Sequence, residues 1–167
     1  MSEVDAAHRL KIARVTLSDR ASAGEYEDRS GPEIEFVAAE CGFTMADWLR
    51  YVIPDEQAQI ETLLRRLADE EACDLILTTG GTGPSPRDVT PEATRAILER
   101  ELPGFGEIMR VQSFAKVPTA ILSRSTAGTR GRTLIVNLPG NPKAIGECLP
   151  FITPAIKEAL RHLRGEK

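Results

Sequence analysis

A chain of 167 residues, 41% apolar and 28% charged, has the size and composition of one globular domain with a sizeable core. Its 21 basic and 25 acidic residues leave a formal charge of −4, which offers no basic surface for nucleic acid or an anionic membrane. The opening MSEVDAAHRLK lacks the apolar stretch of a signal peptide and no run approaches a membrane span, so the expected compartment is the cytoplasm.

Cys41, Cys73 and Cys148 are far apart and read as small hydrophobes rather than zinc ligands or disulfides. The two histidines, His8 and His162, lie near the ends and read as surface residues, which leaves a histidine-driven mechanism without a candidate. Residues 1–10 read as an N-terminal tail and 11–164 as a single domain.

Along the chain, strand-like and helix-like segments alternate. Lys11 to Leu17 is a short β-rich run. Ser30-Gly31-Pro32-Glu33 has the spacing of a capping box and predicts a helix that stops near Gly42. A second strand is expected within Thr44 to Ile53. Asp55 then precedes a segment that places Ile60, Leu63, Leu64, Leu67 and Ala68 on one helical face. Asp74 to Thr79 is an apolar strand of the kind parallel sheets bury on both faces. After a Gly/Pro-rich loop, Thr90-Pro91-Glu92 reads as a helix start with threonine at the cap. Gly104 to Phe114 predicts a further helix, PTAILS a short strand, and Thr133 to Leu138 a buried strand. Towards the end, Pro150 is expected to break one helix and Thr153-Pro154 to start another.

This order predicts an α/β fold, a three-layer α/β/α sandwich with a mostly parallel central sheet. Open sheets of that kind bind ligands beyond the C-terminal ends of their strands. Ser18-Asp19-Arg20, Asp55, Thr78 to Asp88 and Asn137 to Asn141 all follow predicted strands, so the topology would gather them at one edge.

The densest signal is the loop from Thr79 to Asp88, TGGTGPSPRD. Gly80, Gly81 and Gly83 permit tight turns and close approach of amides to an anion, and Thr79, Thr82 and Ser85 add hydroxyls. No Gly-Lys-Ser/Thr follows, and the dinucleotide fingerprint fails at Pro86. Two readings stand on these residues alone, a tight strand-to-helix connection or a loop binding phosphate or pterin. Asp55 and Asp88 divide the same way: each suits a helix start, and together beside an anion-binding loop they suit Mg²⁺. The turn from Asn137 to Lys143 can merely end a strand, or its asparagines, Asn137 and Asn141, can meet a purine or pterin edge; Lys143, Arg20, Arg87 and Arg124 are possible phosphate partners or plain surface residues. Ser123 carries no independent signal.

Taken together, SDRASAGEYEDRSGP at 18–32, IPDEQAQI at 53–60, LTTGGTGPSPRDVTPEAT at 77–94, LPGFGEIMR at 102–110, PTAILSRS at 118–125 and NLPGNPK at 137–143 resemble the molybdopterin adenylyltransferase family. The motifs fall in the family's order over nearly the whole chain, and the central one is the most specific. The resemblance implies AMP transfer from Mg-ATP to the molybdopterin phosphate in molybdenum cofactor biosynthesis. It implies Asp55 and Asp88 as catalytic Mg²⁺ ligands and Ser123 near the reacting phosphates. Ser18, Asp19, Thr78, Thr79, Gly80, Gly81, Thr82 and Gly83 would line the substrate site, with Asn137, Pro139, Gly140 and Asn141 also contacting ligand. It further implies a homotrimer and hand-off to a molybdenum insertase. Two other readings keep the same fold, a carrier that binds molybdopterin without adenylylating it, and an enzyme acting on another nucleotide or pyrophosphate compound.

Overall fold

The computed structural model describes residues 9–166, so His8 lies outside the described residues. In chain order the elements are β1 (Lys11–Leu17), α1 (Asp19–Ser22), α2 (Ser30–Glu40), β2 (Asp47–Ile53), α3 (Gln57–Asp69), β3 (Leu75–Thr79) and α4 (Thr90–Ile97). They continue with β4 (Arg100–Glu101), α5 (Gly104–Phe114), a 3₁₀ turn (Pro118–Leu122), β5 (Ala127–Arg130), β6 (Thr133–Leu138) and α6 (Pro142–Leu163).

The strands form one six-stranded sheet in the order β2-β1-β3-β6-β5-β4. β2, β1, β3 and β6 run parallel, while β5 returns antiparallel to β6 and β4 antiparallel to β5. Alternation along the central strands divides the core in two. Leu75 and Leu77 face a layer that includes α2, α5 and α6, and Ile76 faces α3 and α4 on the other side. Both faces are covered, which is why TLIVNL and LILTT are apolar without alternation. The expected three-layer sandwich is the fold observed.

Several local expectations are corrected. Ser30 does not cap α2; its hydroxyl donates to the carbonyl of Gly140 at 2.7 Å, and the cap comes from Asp28, whose Oδ1 accepts from Gly31 N at 3.0 Å. Thr90 likewise is the first helical residue of α4 rather than its cap, and its hydroxyl donates to Gly80 O at 2.9 Å. Both hydroxyls serve strand-end turns instead of their own helices. PTAILS is not a strand: Pro118–Leu122 forms the exposed 3₁₀ turn, stitched by bonds such as Ala120 N to Val117 O, and takes no place in the sheet.

The largest correction is α6, one helix of 22 residues that contains both Pro150 and Pro154. Each interior proline costs about 3 kcal/mol. Against that, Ile145, Leu149, Ile152, Ile156 and Leu160 are buried on the face turned to the sheet, at roughly 1.5–3 kcal/mol apiece. Packing outweighs propensity here. The Thr153 hydroxyl also occupies the Leu149 carbonyl at 2.8 Å.

Cys73 and Cys148 are buried, and burial pushes the Cys73 thiol up to about 11, so it is no nucleophile at neutral pH. Among the described residues no helix is long and apolar enough to cross a membrane.

Candidate functional site

The parallel strands β1, β2, β3 and β6 end at the same sheet edge, and part of the predicted set meets there. The ladder between β1 and β2 continues one step past the strands, with Ser18 N donating to Ile53 O at 3.0 Å. Beyond it the two chains clasp each other. Asp19 N donates to Asp55 Oδ2 at 3.0 Å, and Asp55 N donates to Asp19 Oδ1 at 3.0 Å. Asp55 therefore does not cap α3, whose start at Glu56 has no side-chain cap bond.

Arg87 reaches across from the glycine-rich loop. Its Nε and Nη2 each donate to the Asp19 carboxylate at 3.0 Å, and Nη2 also donates to Glu56 Oε1 at 2.8 Å. This guanidinium holds the Asp19 carboxyl below the usual carboxylate range.

The other Asp55 oxygen, Oδ1, is buried and has no hydrogen-bond partner. Burial raises the Asp55 carboxyl above its ordinary value; the Asp19 and Asp88 charges push the same way, and the Asp19 amide and Arg87 oppose them. An unpaired buried carboxylate oxygen costs free energy until a hydrogen-bond donor, a proton or a cation meets it. Asp88 holds the loop with one oxygen, Oδ2 accepting from Ser85 N at 3.0 Å.

Two glycines set this geometry. Gly80 has φ +94°, and a Cβ there would stand 2.4 Å from Leu17 O. Gly81 has φ +66°, and its Cβ would stand 2.3 Å from Thr90 Oγ1 and 3.0 Å from Asp55 Oδ1. Neither position accepts another residue without strain.

Two cavities flank the loop and share Gly140. The first, about 430 Å³, is lined by Ser18, Tyr26, Asp55, Gly80, Gly81 and Asp88 among others. The second, about 280 Å³, is lined by Thr82, Ser123, Pro139 and Asn141, together with residues of α5 and α6. Ser123 thus lines a different cavity from the two aspartates, and its hydroxyl bonds Ser125 Oγ at 3.0 Å. Thr79 and Gly140 edge the first cavity, the Thr79 hydroxyl donating to Pro139 O at 2.6 Å.

Thr78 and Asn137 are not brought to either cavity. Both are fully buried. The Asn137 amide donates to Thr78 Oγ1 and Thr94 Oγ1 at 3.0 Å each, and its oxygen accepts from Thr126 N at 3.2 Å. Its polar atoms are engaged inside the protein, so the heterocycle-edge role expected for it is set aside.

Of the basic candidates, Arg20 pairs with Glu25 and stands over the Tyr26 ring, and Lys143 is exposed. Arg124 is a loop support. Its Nε donates to Gly83 O at 2.9 Å and its Nη2 to Asp88 O at 2.8 Å, while Nη1 pairs with Glu92. Sequence reasoning missed the Arg14–Asp28 pair behind the first cavity, at 3.3 Å, and Tyr26, whose hydroxyl meets Ser18 Oγ at 2.8 Å. An arginine inside the β-rich run Lys11 to Leu17 is the available signal for the first.

Among the described residues no three or more His, Cys, Asp or Glu side chains converge to hold a metal on their own. Of the carboxylates lining the first cavity, Asp28 is taken up by Arg14, Thr16 and the Gly31 amide, whereas Asp55 and Asp88 stand at the glycine loop, Asp55 with a bare buried oxygen. That donor set fits Mg²⁺, which prefers oxygen ligands and keeps waters or substrate phosphates for its other positions.

A family model described as a probable molybdopterin binding domain matches residues 13–158. The chain belongs to the molybdopterin-binding domain family. A relative in this family named molybdopterin adenylyltransferase, from Helicobacter pylori strain J99, is 50% identical over 147 residues, covering 88% of this chain and 84% of the relative. Another of that name, from Haemophilus influenzae strain Rd, is 54% identical over 140 residues, covering 84% of this chain and 71% of the relative. The solved structure of the molybdopterin biosynthesis enzyme MoaB from Thermus thermophilus superposes with a TM-score of 0.85 at 45% identity, over 94% of this chain and 98% of that one.

Proposed function

We propose that this chain is a molybdopterin adenylyltransferase, which transfers AMP from Mg-ATP to the terminal phosphate of molybdopterin and releases pyrophosphate. The observation that carries this reading to a site is the bare, buried Oδ1 of Asp55 beside the glycine loop, with Asp88 on the same cavity wall. Relatives at 50% identity and above over most of the chain carry that name.

The chemistry suits the residues present. A phosphate monoester has its second pKa near about 6, so the nucleophile is already anionic at neutral pH and needs no general base. His162, the one described histidine, pairs with Glu158 on the surface of α6. The task left to the protein is to bring two anions together in line. Backbone amides of the Gly80–Gly83 loop provide oriented donors, and the two cavities on either side of it suit two substrates meeting at the loop. Asp55 and Asp88 would hold Mg²⁺, whose chemistry there would be to offset the charge of the triphosphate.

The finer parts of this reading are a Mg²⁺ requirement, a cytoplasmic location, a homotrimer and hand-off of the product to a molybdenum insertase. Self-association is supported by an apolar face on α5 and the 3₁₀ turn, where Val111, Phe114, Val117, Ile121 and Leu122 are 48–64% exposed. Sedimentation equilibrium at three times the chain mass is the expected result.

The deciding experiment measures pyrophosphate release from Mg-ATP with and without molybdopterin. Release that depends on molybdopterin is expected. Tight molybdopterin binding without any release would replace the enzyme by a carrier of the same fold.

A further inference from the structure

Asp55 and Asp88 line the first cavity and Asp19 is bonded to Asp55 through the reciprocal clasp, and nothing in their residue type says which of the three meet a cation. The hydrogen bonds do. A carboxylate has two oxygens and about four lone-pair sites. Asp19 Oδ1 accepts from both Asp55 N and Arg87 Nη2, and Oδ2 accepts from Arg87 Nε. The one remaining lone pair lies beside a guanidinium, which repels a second cation. Asp55 is the reverse case, with Oδ2 bound to Asp19 N and Oδ1 bare and buried.

We infer that Asp19 is a positioning residue rather than a metal ligand, and that Arg87 holds it in that role. The reciprocal clasp decides which oxygen of Asp55 is occupied and which is presented. Arg87 fixes the Asp19 carboxylate from the far side through a two-point fork and is itself anchored on Glu56. The same guanidinium comes from the loop that carries Asp88, so one side chain ties the two proposed ligands to a common frame. The Nε–Nη2 edge of Arg87 is accordingly committed to Asp19 and Glu56, and a phosphate could take that edge only by displacing these bonds. The inference rests on the metal reading proposed above and assigns roles within it.

The test is direct Mn²⁺ titration of the nucleotide-free protein, read by water-proton relaxation, with melting curves to establish that every variant is folded. Asp19→Ala and Arg87→Lys should each weaken Mn²⁺ binding by about tenfold, the size seen when a support behind a ligand is removed. Arg87→Lys keeps the positive charge and loses only the fork. The double variant D19A/R87K should bind no more weakly than D19A, because the two act through one contact. Asp19→Asn keeps an acceptor for Asp55 N and should recover part of the loss. If Asp19 were a ligand, Arg87→Lys would loosen it from its partner and leave Mn²⁺ binding unchanged or tighter, and that result overturns the inference. Asp55→Ala serves as the reference and should abolish binding. Wild-type protein that binds no Mn²⁺ removes the metal reading itself, and this inference with it.

Discussion

Arg124 supports Asp88 through the backbone and leaves its carboxylate alone. The guanidinium donates to the Asp88 carbonyl at 2.8 Å and to the Gly83 carbonyl at 2.9 Å, while the Arg124 amide bonds Thr82 O at 2.8 Å. The loop between Thr82 and Asp88 is therefore pinned from the segment that carries Ser123. Arg124→Ala should lower turnover by about tenfold, or roughly 1.4 kcal/mol in barrier. Hydrogen–deuterium exchange should quicken at residues 83–88 in the same variant. Arg124→Lys should not restore either property, because a single ammonium cannot span both carbonyls and Glu92. Unchanged exchange in the alanine variant would mean the loop holds its own shape.

Asp55→Ala and Asp88→Ala address the chemistry. Each should reduce molybdopterin-dependent pyrophosphate release by at least about tenfold while leaving a cooperative melt. Full activity in both folded variants would take the metal away from this pair.

Stability should move the other way for a milder change at the same place. Burial raises the Asp55 carboxyl above its ordinary value, with the Asp19 and Asp88 charges in support. A group shifted upward stabilises the fold below its unfolded pKa, about 3.9 for aspartate, and that contribution is lost as pH rises through the folded value. At neutral pH the metal-free protein thus bears the cost of an ionised, partly unpaired side chain. Asp55→Asn is neutral throughout, so without metal its Tm should exceed wild type by a few degrees at pH 7. The gap should narrow toward pH 4. Equal melting at pH 7 would show that water already satisfies the carboxylate.

Asn137 and Asn141 sit four residues apart and should behave differently. Asn137→Ala strands Thr78, Thr94 and Thr126 N in the core and should cost about 2–4 kcal/mol in urea unfolding. Asn141 is exposed and caps α6, its Oδ1 accepting from Lys143 N at 2.8 Å; its alanine variant should cost about 1 kcal/mol. Similar losses at both would contradict the division between interior and rim.

Gly81→Ala tests the cradle. It forces φ +66° on a residue with a Cβ and drives that Cβ against Thr90 Oγ1 and Asp55 Oδ1. A loss of roughly 1–3 kcal/mol in stability is expected, with Mn²⁺ binding lost as well.

Where local signals suffice, the sequence alone located the structure closely. The expected runs Lys11 to Leu17, Gly104 to Phe114 and Thr133 to Leu138 coincide with β1, α5 and β6. These are segments whose apolar pattern and flanking turns agree. The parallel topology followed from their order, and with it the gathering of Asp19, Asp55, Asp88 and Gly140 at one edge. What escaped depends on partners distant in the chain. Ser30 and Thr90 had cap spacing but found carbonyls at Gly140 and Gly80. Two prolines had break signals that the buried face of α6 overrode. Asn137 looked available because its residue type does not reveal that three threonines enclose it. The role of Arg87 hangs on Asp19, 68 residues away, and no spacing rule spans that gap.

The length of α6 has a practical side. Starting at the Asn141 cap beside the cavities, its 22 residues run back along the sheet, a path of roughly 33 Å at about 1.5 Å per residue. Anything joined after Leu163 leaves from the opposite end of the molecule. A fluorescent label, a surface tether or a fused carrier attached there would leave both cavity mouths open. The N-terminal end of α6 offers no such freedom, because the Gly140 turn that feeds it is shared by both cavities.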